Sequence, residues 1–216
     1  GTSCPNCPKM TRIVKDIMLE GVIPDKAIFT AVHSYKSDDP AYIPAPAVAT
    51  YPYMKVDLSL GYSYANGKEA LKSMINKSVA GPAKAGLAVT PMLYDDGTLV
   101  VKVSVKAAED GVFNVGAWLL EDNIKGLQAN NSQDKDPAYN THNSCVRIAD
   151  SNYKKEFFGF PLGTLKAGQT VQKTFIMNLK SKWEIENLHL AAFVSHANSR
   201  GDYSVCNAID CPIDEP

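Results

Sequence analysis

The chain has 216 residues, of which 45% are hydrophobic and 21% are charged, and its formal net charge is −1. This is the composition of a globular protein with a real core. Because no basic patch exceeds two adjacent lysines, the sequence argues against a nucleic-acid partner. No apolar run approaches the roughly 18 residues needed to cross a membrane. The abrupt start at Gly1, without a signal peptide, indicates a processed or truncated end.

The first part of the chain predicts two helices, two strands and a proline-rich loop. Apolar residues recur every three or four positions over residues 8–20 and again over 68–79, which is typical of amphipathic helices. Residues 27–33 and 54–60 have the composition of strands. Four prolines exclude regular structure from residues 35–52.

After Pro82 the pattern changes to strands and turns alone. Residues 122–142 are polar and predict a surface loop. The sequence therefore predicts an α+β protein: an α/β region over residues 1–82, whose order of elements resembles a partial thioredoxin-like domain with its first strand missing, and an all-β sandwich of immunoglobulin-like size over 83–216. The predicted strands of the sandwich are residues 87–94, 98–106, 112–120, 144–149, 157–162, 170–179, 188–196 and 203–208.

Cys4 and Cys7 are the most informative pair of residues, because a C-x-x-C spacing at the start of a helix suits thiol–disulfide exchange. The unpaired N–H groups and the dipole of the helix stabilise a thiolate and lower its pKa. In this interpretation Cys4 is the attacking thiol and Cys7 resolves the mixed disulfide.

The other cysteines leave alternatives open. Cys206 could pair with Cys211 in a small loop, or with Cys145 across two strands, and oxidised pairs would indicate export from the cytoplasm. Cys206 and Cys211 could also complete a zinc site with the C-x-x-C pair. We favour a disulfide or dithiol over zinc, because the two halves of such a site would be separated by almost the whole chain.

The order of elements after the C-x-x-C resembles the second part of a thioredoxin-like domain. In that fold a cis-proline before a strand lies against the reactive disulfide, and Tyr51-Pro52 occupies the matching position. The resemblance gives Pro52 the role of aligning a substrate strand. The fold also needs a central strand leading into the cysteines, and without it the helix after Cys7 would lose its main packing partner.

Five segments of the chain together match a known family. They are Gly1-Thr-Ser-Cys4-Pro-Asn-Cys7-Pro8, Ala31-Val-His33-Ser34, Leu119-Leu-Glu-Asp122, His142-Asn-Ser-Cys145-Val-Arg147 and Val205-Cys-Asn-Ala208. Through them most of the chain resembles the twenty-eight-kilodalton outer-membrane protein family of Bacteroidetes. One departure is Pro52-Tyr53, where the family has Pro-Thr.

That resemblance implies a thioredoxin-like region followed by an immunoglobulin-like domain, and a location at the outer membrane or cell surface of a Gram-negative bacterium. It also implies membrane association only through an anchor on a lost upstream segment.

Polar residues at both ends of the predicted loop form a candidate binding site. They could hold a polar ligand, or they could simply anchor the loop through hydrogen bonds and an ion pair. We favour the anchoring role, because no nucleophile stands at a suitable spacing. These residues are Glu121, Asp122, His142, Asn143 and Arg147.

Two further motifs are weaker. Arg200-Gly201-Asp202 spells the tripeptide that integrins bind, but Gly-Asp is also ordinary turn chemistry, which we favour. Asp134 and Asp136 could contribute to a calcium site, although the EF-hand pattern is absent.

Taken together, these patterns predict an exported cell-envelope protein that binds a protein or peptide ligand through its sandwich. The alternative is a thiol–disulfide oxidoreductase using Cys4, Cys7 and Pro52. Neither function requires a cofactor or a metal.

Overall fold

The computed structural model describes residues 1–21, 26–149 and 156–213. The chain forms two compact units. Residues 122–146, which we call the returning segment, fold with the first unit rather than with the strands around them. The first unit comprises Gly1–Val56, Leu60–Pro82 and Asp122–Val146, and the second comprises Asp57–Ser59, Ala83–Glu121 and Arg147–Pro216.

Two helices form the core of the first unit. Helix α1 spans Cys7–Leu19 and α2 spans Gly67–Ser78, each within one residue of its predicted bounds. The apolar face of α1 buries Met10 and Ile17 in one cluster with Leu71 of α2. Helix α1 therefore has a packing partner within its own unit.

Two strand predictions in the first unit are wrong. Residues 54–60 form an antiparallel hairpin, β1 (Met54–Val56) and β2 (Leu60–Tyr62), because Asp57 and Leu58 take positive φ values of 52° and 59° and turn the chain. Residues 27–33 form no regular strand. Each neighbouring segment pairs with residues 27–33 at a single residue, so a continuous hydrogen-bonded ladder does not form. The isolated bridges join Ala31 to Cys145 and His33 to Tyr42.

The returning segment contains regular structure where the sequence predicts only a surface loop. Strand β6 (Ile124–Lys125) pairs antiparallel with β7 (Thr141–His142), and a 3₁₀ helix spans Pro137–Asn140. The pairing closes the segment into a loop with a defined base, so its middle residues are held in place by its two ends.

The second unit is built from antiparallel strands in two sheets. One sheet has the order β10-β4-β3, and the other has the order β12-β11-β5-β8 with β9 beside β5. The strands are β3 (Ala85–Leu93), β4 (Thr98–Ala107), β5 (Gly111–Glu121), β8 (Cys145–Ala149), β9 (Phe160–Leu165), β10 (Thr170–Asn178), β11 (Leu188–Ala197) and β12 (Tyr203–Pro212).

Alternation along the strands determines which face is buried in the second unit. On β4, Leu99, Val101, Val103 and Val105 are fully buried, as their two-residue period predicts, in one cluster with Phe113 of β5.

With two long helices and mostly strands, the protein is α+β and mostly β, which confirms the predicted class. No helix in the described ranges is both long and apolar enough to cross a membrane.

Candidate functional site

The cysteine pair forms a disulfide directly before α1. Cys4 and Cys7 are bonded with their Cα atoms 5.4 Å apart, and the backbone N–H of Cys7 donates to the carbonyl of Cys4 at 3.2 Å. Cys7 is the first residue of the helix. Cys7 therefore stands at the positive end of the helix dipole, which favours a thiolate once the bond is reduced.

The two cysteines differ in exposure. Cys4 is only 2% exposed, whereas Cys7 is partly exposed. The Gly1 nitrogen lies 3.8 Å from the Cys7 sulfur. The more accessible half of the disulfide is thus the half that begins the helix, and the roles of Cys4 as attacking thiol and Cys7 as resolving thiol stay a prediction.

The side chain of Gln128 holds the backbone around Cys4. Its Nε2 lies 2.9 Å from the carbonyl oxygen of Cys4, 3.0 Å from that of Thr2 and 2.8 Å from that of Ala129, and its two N–H groups are shared among these acceptors. The backbone of the returning segment adds two more bonds, from the N–H of Ala129 to Thr2 at 2.7 Å and from the N–H of Asn131 to Pro5 at 2.8 Å. The returning segment therefore covers the chain on both sides of Cys4.

Gln128 is itself held by the base of the returning segment. The side-chain oxygen of Asn140 accepts from the Gln128 N–H at 2.9 Å, and its carbonyl accepts from the N–H of Gly126 at 3.0 Å. His142 Nε2 donates to the carbonyl of Gly126 at 3.0 Å. Burial lowers the pKa of His142 and keeps its ring neutral, which is the form that can donate from one nitrogen only.

Asp122 and Asn143 serve the same anchoring purpose. The Asp122 carboxylate accepts from the N–H of Ser144 at 2.6 Å, and the Asn143 side-chain oxygen accepts from the N–H of Asn123 at 2.9 Å. With His142, these residues fix the two ends of the returning segment. The contacts correspond to the anchoring interpretation, and a ligand role for them stays a prediction.

Asp39 holds the same stretch of chain from another direction. Its buried carboxylate accepts from the backbone N–H and the hydroxyl of Thr2, from the N–H of Ala41 and from His33 Nδ1 at 2.8 Å. Burial opposes ionisation of Asp39, but the bonds from His33, Thr2 and Ala41 outweigh it and hold the pKa of the carboxyl below its usual range. The other ring nitrogen of His33 lies 3.8 Å from the sulfur of Cys145.

A groove opens beside the first turns of α1. Lys9 lies with its ammonium 5.4 Å from the centre of the Tyr64 ring, and Arg12 lies 3.8 Å from the carboxylate of Asp134. The groove thus starts at the residue that follows Cys7. Its lining residues are Pro8, Lys9, Arg12, Ile13, Tyr64, Asn131, Ser132, Gln133, Asp134 and Tyr139.

Pro52 follows a cis peptide bond from Tyr51. The Tyr51 ring packs 4.9 Å from that of Tyr35, and its hydroxyl lies 3.2 Å from the hydroxyl of Ser34. The role of Pro52 in aligning a substrate stays a prediction.

Glu121 and Arg147 belong to the second unit, whereas the returning segment between them belongs to the first. They form an ion pair with Arg147 Nε 2.9 Å from Glu121 Oε2, and both side chains are buried. Burial raises the pKa of Glu121, and the guanidinium of Arg147 partly offsets this effect. The Arg147 guanidinium also lies 5.1 Å from the Trp183 ring, so the pair belongs to the packing of the sandwich.

Arg200-Gly201-Asp202 occupies the exposed turn between β11 and β12. The side-chain oxygen of Asn198 accepts from the N–H of Arg200 at 2.8 Å and from that of Asp202 at 3.0 Å. Gly201 has a φ of +83°, which glycine adopts without strain. The exposed tripeptide therefore has a backbone conformation that the Asn198 side chain fixes.

The remaining cysteines are present as thiols, so the alternative disulfides are not formed. Cys206 is the extra residue of a bulge in β12, and Cys211 follows on the same strand. Five residues of extended strand span about 16 Å, too far for a disulfide between them. The same separation prevents both sulfurs from binding one zinc ion, which needs ligand sulfurs within about 4 Å.

The acidic residues of the returning segment have protein partners. Asp134 accepts from the Tyr139 hydroxyl at 2.7 Å, and burial together with this bond raises the pKa of Tyr139 to about 12. Asp136 accepts from the N–H of Ala138 at 2.9 Å and pairs with Lys15 at 3.1 Å. Within residues 1–21, 26–149 and 156–213, no three His, Cys, Asp or Glu side chains are grouped to hold a metal ion.

Sequence patterns do not reveal Gln128 or Asp39. Gln128 stands in a polar stretch without a motif, and Asp39 stands in the proline-rich loop. Each acts on a residue far away in the chain, at separations of 124 and 37 residues. Only the proximity of Cys4 to the start of a helix is visible locally.

The chain was compared with known proteins. A family model described as outer membrane protein Omp28 matches residues 40–213. HBP35 of Porphyromonas gingivalis is similar in fold over 99% of this chain and 73% of that chain, with 19% identity and a TM-score of 0.73. A domain of the outer membrane lipoprotein Omp28 from the same organism aligns over 61% of this chain and 88% of that domain, with 17% identity and a TM-score of 0.41, too low to carry an argument. No curated protein matches.

Replacement of Asp39 by Asn tests the buried carboxylate. Because its pKa is lowered by folding, its contribution to the free energy of unfolding is complete above the unfolded value of 3.8 and is lost as the pH falls through the folded value. We expect the free energy of unfolding of Asp39→Asn to be about 2–3 kcal/mol lower than that of the wild type at pH 7. Below about pH 4 this difference should become smaller, because the wild-type carboxylate is then being protonated. Urea unfolding from pH 7 to pH 2 measures both.

Asp38→Asn is the matched control, because Asp38 is adjacent and exposed. Its free energy of unfolding should stay within about 0.5 kcal/mol of the wild type. A deficit of Asp39→Asn that is absent, or that is constant over the whole pH range, would contradict the assignment.

Proposed function

For this chain, which belongs to the Omp28 family of outer membrane proteins, we propose thiol–disulfide exchange with protein substrates outside the cytoplasm. The family model matches residues 40–213, so the proposal rests on the cysteine pair itself and not on the family. Its location is extracytoplasmic, at the outer membrane or cell surface. The observation that carries the proposal is the Cys4–Cys7 disulfide in the turn that leads into α1, with Cys7 as the first helical residue.

Three features of the geometry support the chemistry. Two sulfurs three residues apart close a small ring, so either thiol can displace a substrate bound to the other. The helix N-terminus stabilises the thiolate that exchange requires. The groove beside Lys9 and Tyr64 gives a substrate chain a surface to lie on next to the disulfide.

The finer fold assignment is part of the same proposal. We take the first unit as thioredoxin-like, with Pro52 beside the substrate backbone, and the second unit as an immunoglobulin-like sandwich. Supporting features are the helix after the cysteines in the first unit and the two antiparallel sheets around one core in the second.

Insulin reduction by the full chain in the presence of dithiothreitol tests the proposal. We expect Cys4→Ser and Cys7→Ser each to lower the rate at least about tenfold, because each removes one of the two sulfurs that exchange needs. Cys211→Ser is the control and should keep the wild-type rate. Equal rates for the wild type and both variants would eliminate the oxidoreductase function.

A second candidate is binding of a protein ligand through the sandwich. It is favoured by the exposed turn Arg200-Gly201-Asp202, whose backbone Asn198 holds in shape. An exposed arginine and an exposed carboxylate on a fixed turn suit recognition of a charged partner surface.

Asp202→Ala tests this binding role. If the turn is the recognition element, the variant should reduce attachment of the purified protein to immobilised host-cell matrix at least about tenfold, because the charged contact is lost. Asp95→Ala, in another exposed turn of the same unit, is the control and should attach as the wild type does. Undiminished attachment of Asp202→Ala would dispose of this candidate.

A further inference from the structure

The surroundings of the two sulfurs are not equivalent. The residues on both sides of Cys4 are hydrogen-bonded to the returning segment, Thr2 through Ala129 and Pro5 through Asn131, and Cys4 itself is 2% exposed. Cys7 lies one turn of chain further on, is partly exposed and adjoins the groove that begins at Pro8. Cys7 is therefore the more accessible of the two cysteines to a thiolate from solvent.

Gln128 maintains this difference. Its amide bonds to Thr2 and Cys4 use backbone carbonyls that no strand pairs with, so they keep the turn beneath the returning segment. The Asp39 carboxylate also holds Thr2 in place, because it accepts from the backbone N–H and the hydroxyl of Thr2. Movement of Cys4 toward solvent would break these bonds together, whereas Cys7 can react without disturbing them.

We propose that Cys7, and not Cys4, is the sulfur that exchanges with the substrate, and that Gln128 is a positioning residue that keeps Cys4 as the buried partner. This inference rests on the proposed function and specifies which sulfur enters the exchange. It assigns the substrate as a protein dithiol or disulfide whose backbone lies along the groove of Lys9, Arg12 and Tyr64.

The exchange balances without a further reactant. A substrate thiolate attacks the Cys7 sulfur, a bond forms between these two sulfurs, and the Cys4–Cys7 bond breaks. Cys4 leaves with the electron pair as a thiolate and takes a proton from water. A second substrate thiolate then attacks the substrate sulfur bound to Cys7, so that the substrate dithiol is oxidised to a disulfide, Cys7 leaves as a thiolate, and the protein is reduced to the dithiol.

Alkylation of the fully reduced, unmutated chain tests the inference without any substitution. Limiting iodoacetamide is added at pH 7, and digestion with trypsin releases residues 1–9, which carry both cysteines. Fragmentation of this peptide in a mass spectrometer shows which sulfur reacted. We expect alkylation of Cys7 to exceed that of Cys4 at least about tenfold, because reactivity follows exposure and thiolate character.

Variants then test Gln128. Gln128→Ala should raise alkylation of Cys4 several-fold and leave that of Cys7 unchanged, which a general loss of stability would not do. Leu127→Ala, at the neighbouring side chain, which is 87% exposed and does not line the groove, should alter neither. In exchange with oxidised glutathione, Cys4→Ser should form the mixed disulfide at least about tenfold faster than Cys7→Ser.

Faster or equal alkylation of Cys4 in the unmutated chain would overturn the assignment of Cys7. An unchanged Cys4:Cys7 ratio in Gln128→Ala would overturn the role of Gln128. Alkylation reports access to each sulfur whether or not the protein turns over insulin. A failed insulin assay with preferential alkylation of Cys7 would therefore refute the proposed function, and preferential alkylation of Cys4 with active insulin reduction would refute this inference alone.

Discussion

The hydrogen bonds between residues 2–5 and the returning segment are the constraint that holds the Cys4–Cys7 disulfide in place. These residues precede α1 and lie in no strand, so their polar backbone groups must find partners elsewhere, because a buried backbone group without one is costly. Gln128, Ala129 and Asn131 supply them. The returning segment thus completes the first unit and gives the disulfide its rigid mount.

This constraint explains why the ends of the returning segment are rich in polar side chains. Asp122, Asn143 and His142 each satisfy a backbone group at the base of the segment. Asn140 at the base contacts Gln128, and Gln128 contacts the carbonyl of Cys4. The contacts of Asp122, His142 and Asn143 are thus those of anchoring residues, and their role as a ligand site stays a prediction.

The sequence predicts what depends on neighbours in the chain and fails where distant residues meet. The bounds of α1 and the buried face of β4 follow from apolar periods of 3.6 and 2, and the C-x-x-C before a helix is visible directly. The contact of Gln128 with the carbonyl of Cys4 joins residues 124 positions apart, and such a contact leaves no periodic pattern in the sequence. The same limit explains the error at residues 27–33, where β-forming composition predicts a strand but Ala31 finds only an isolated bridge to Cys145.

Hydrogen exchange of single amides in the oxidised, unmutated chain tests the central claim most directly. If the returning segment covers Cys4, the amides of Ala129 and Asn131, which donate to Thr2 and Pro5, should exchange at least about a hundredfold more slowly than in an unstructured peptide. The amide of Gln133, for which no such bond is assigned, serves as the internal comparison. Exchange of Ala129 and Asn131 at the unstructured rate would contradict the claim that this segment holds the disulfide in place.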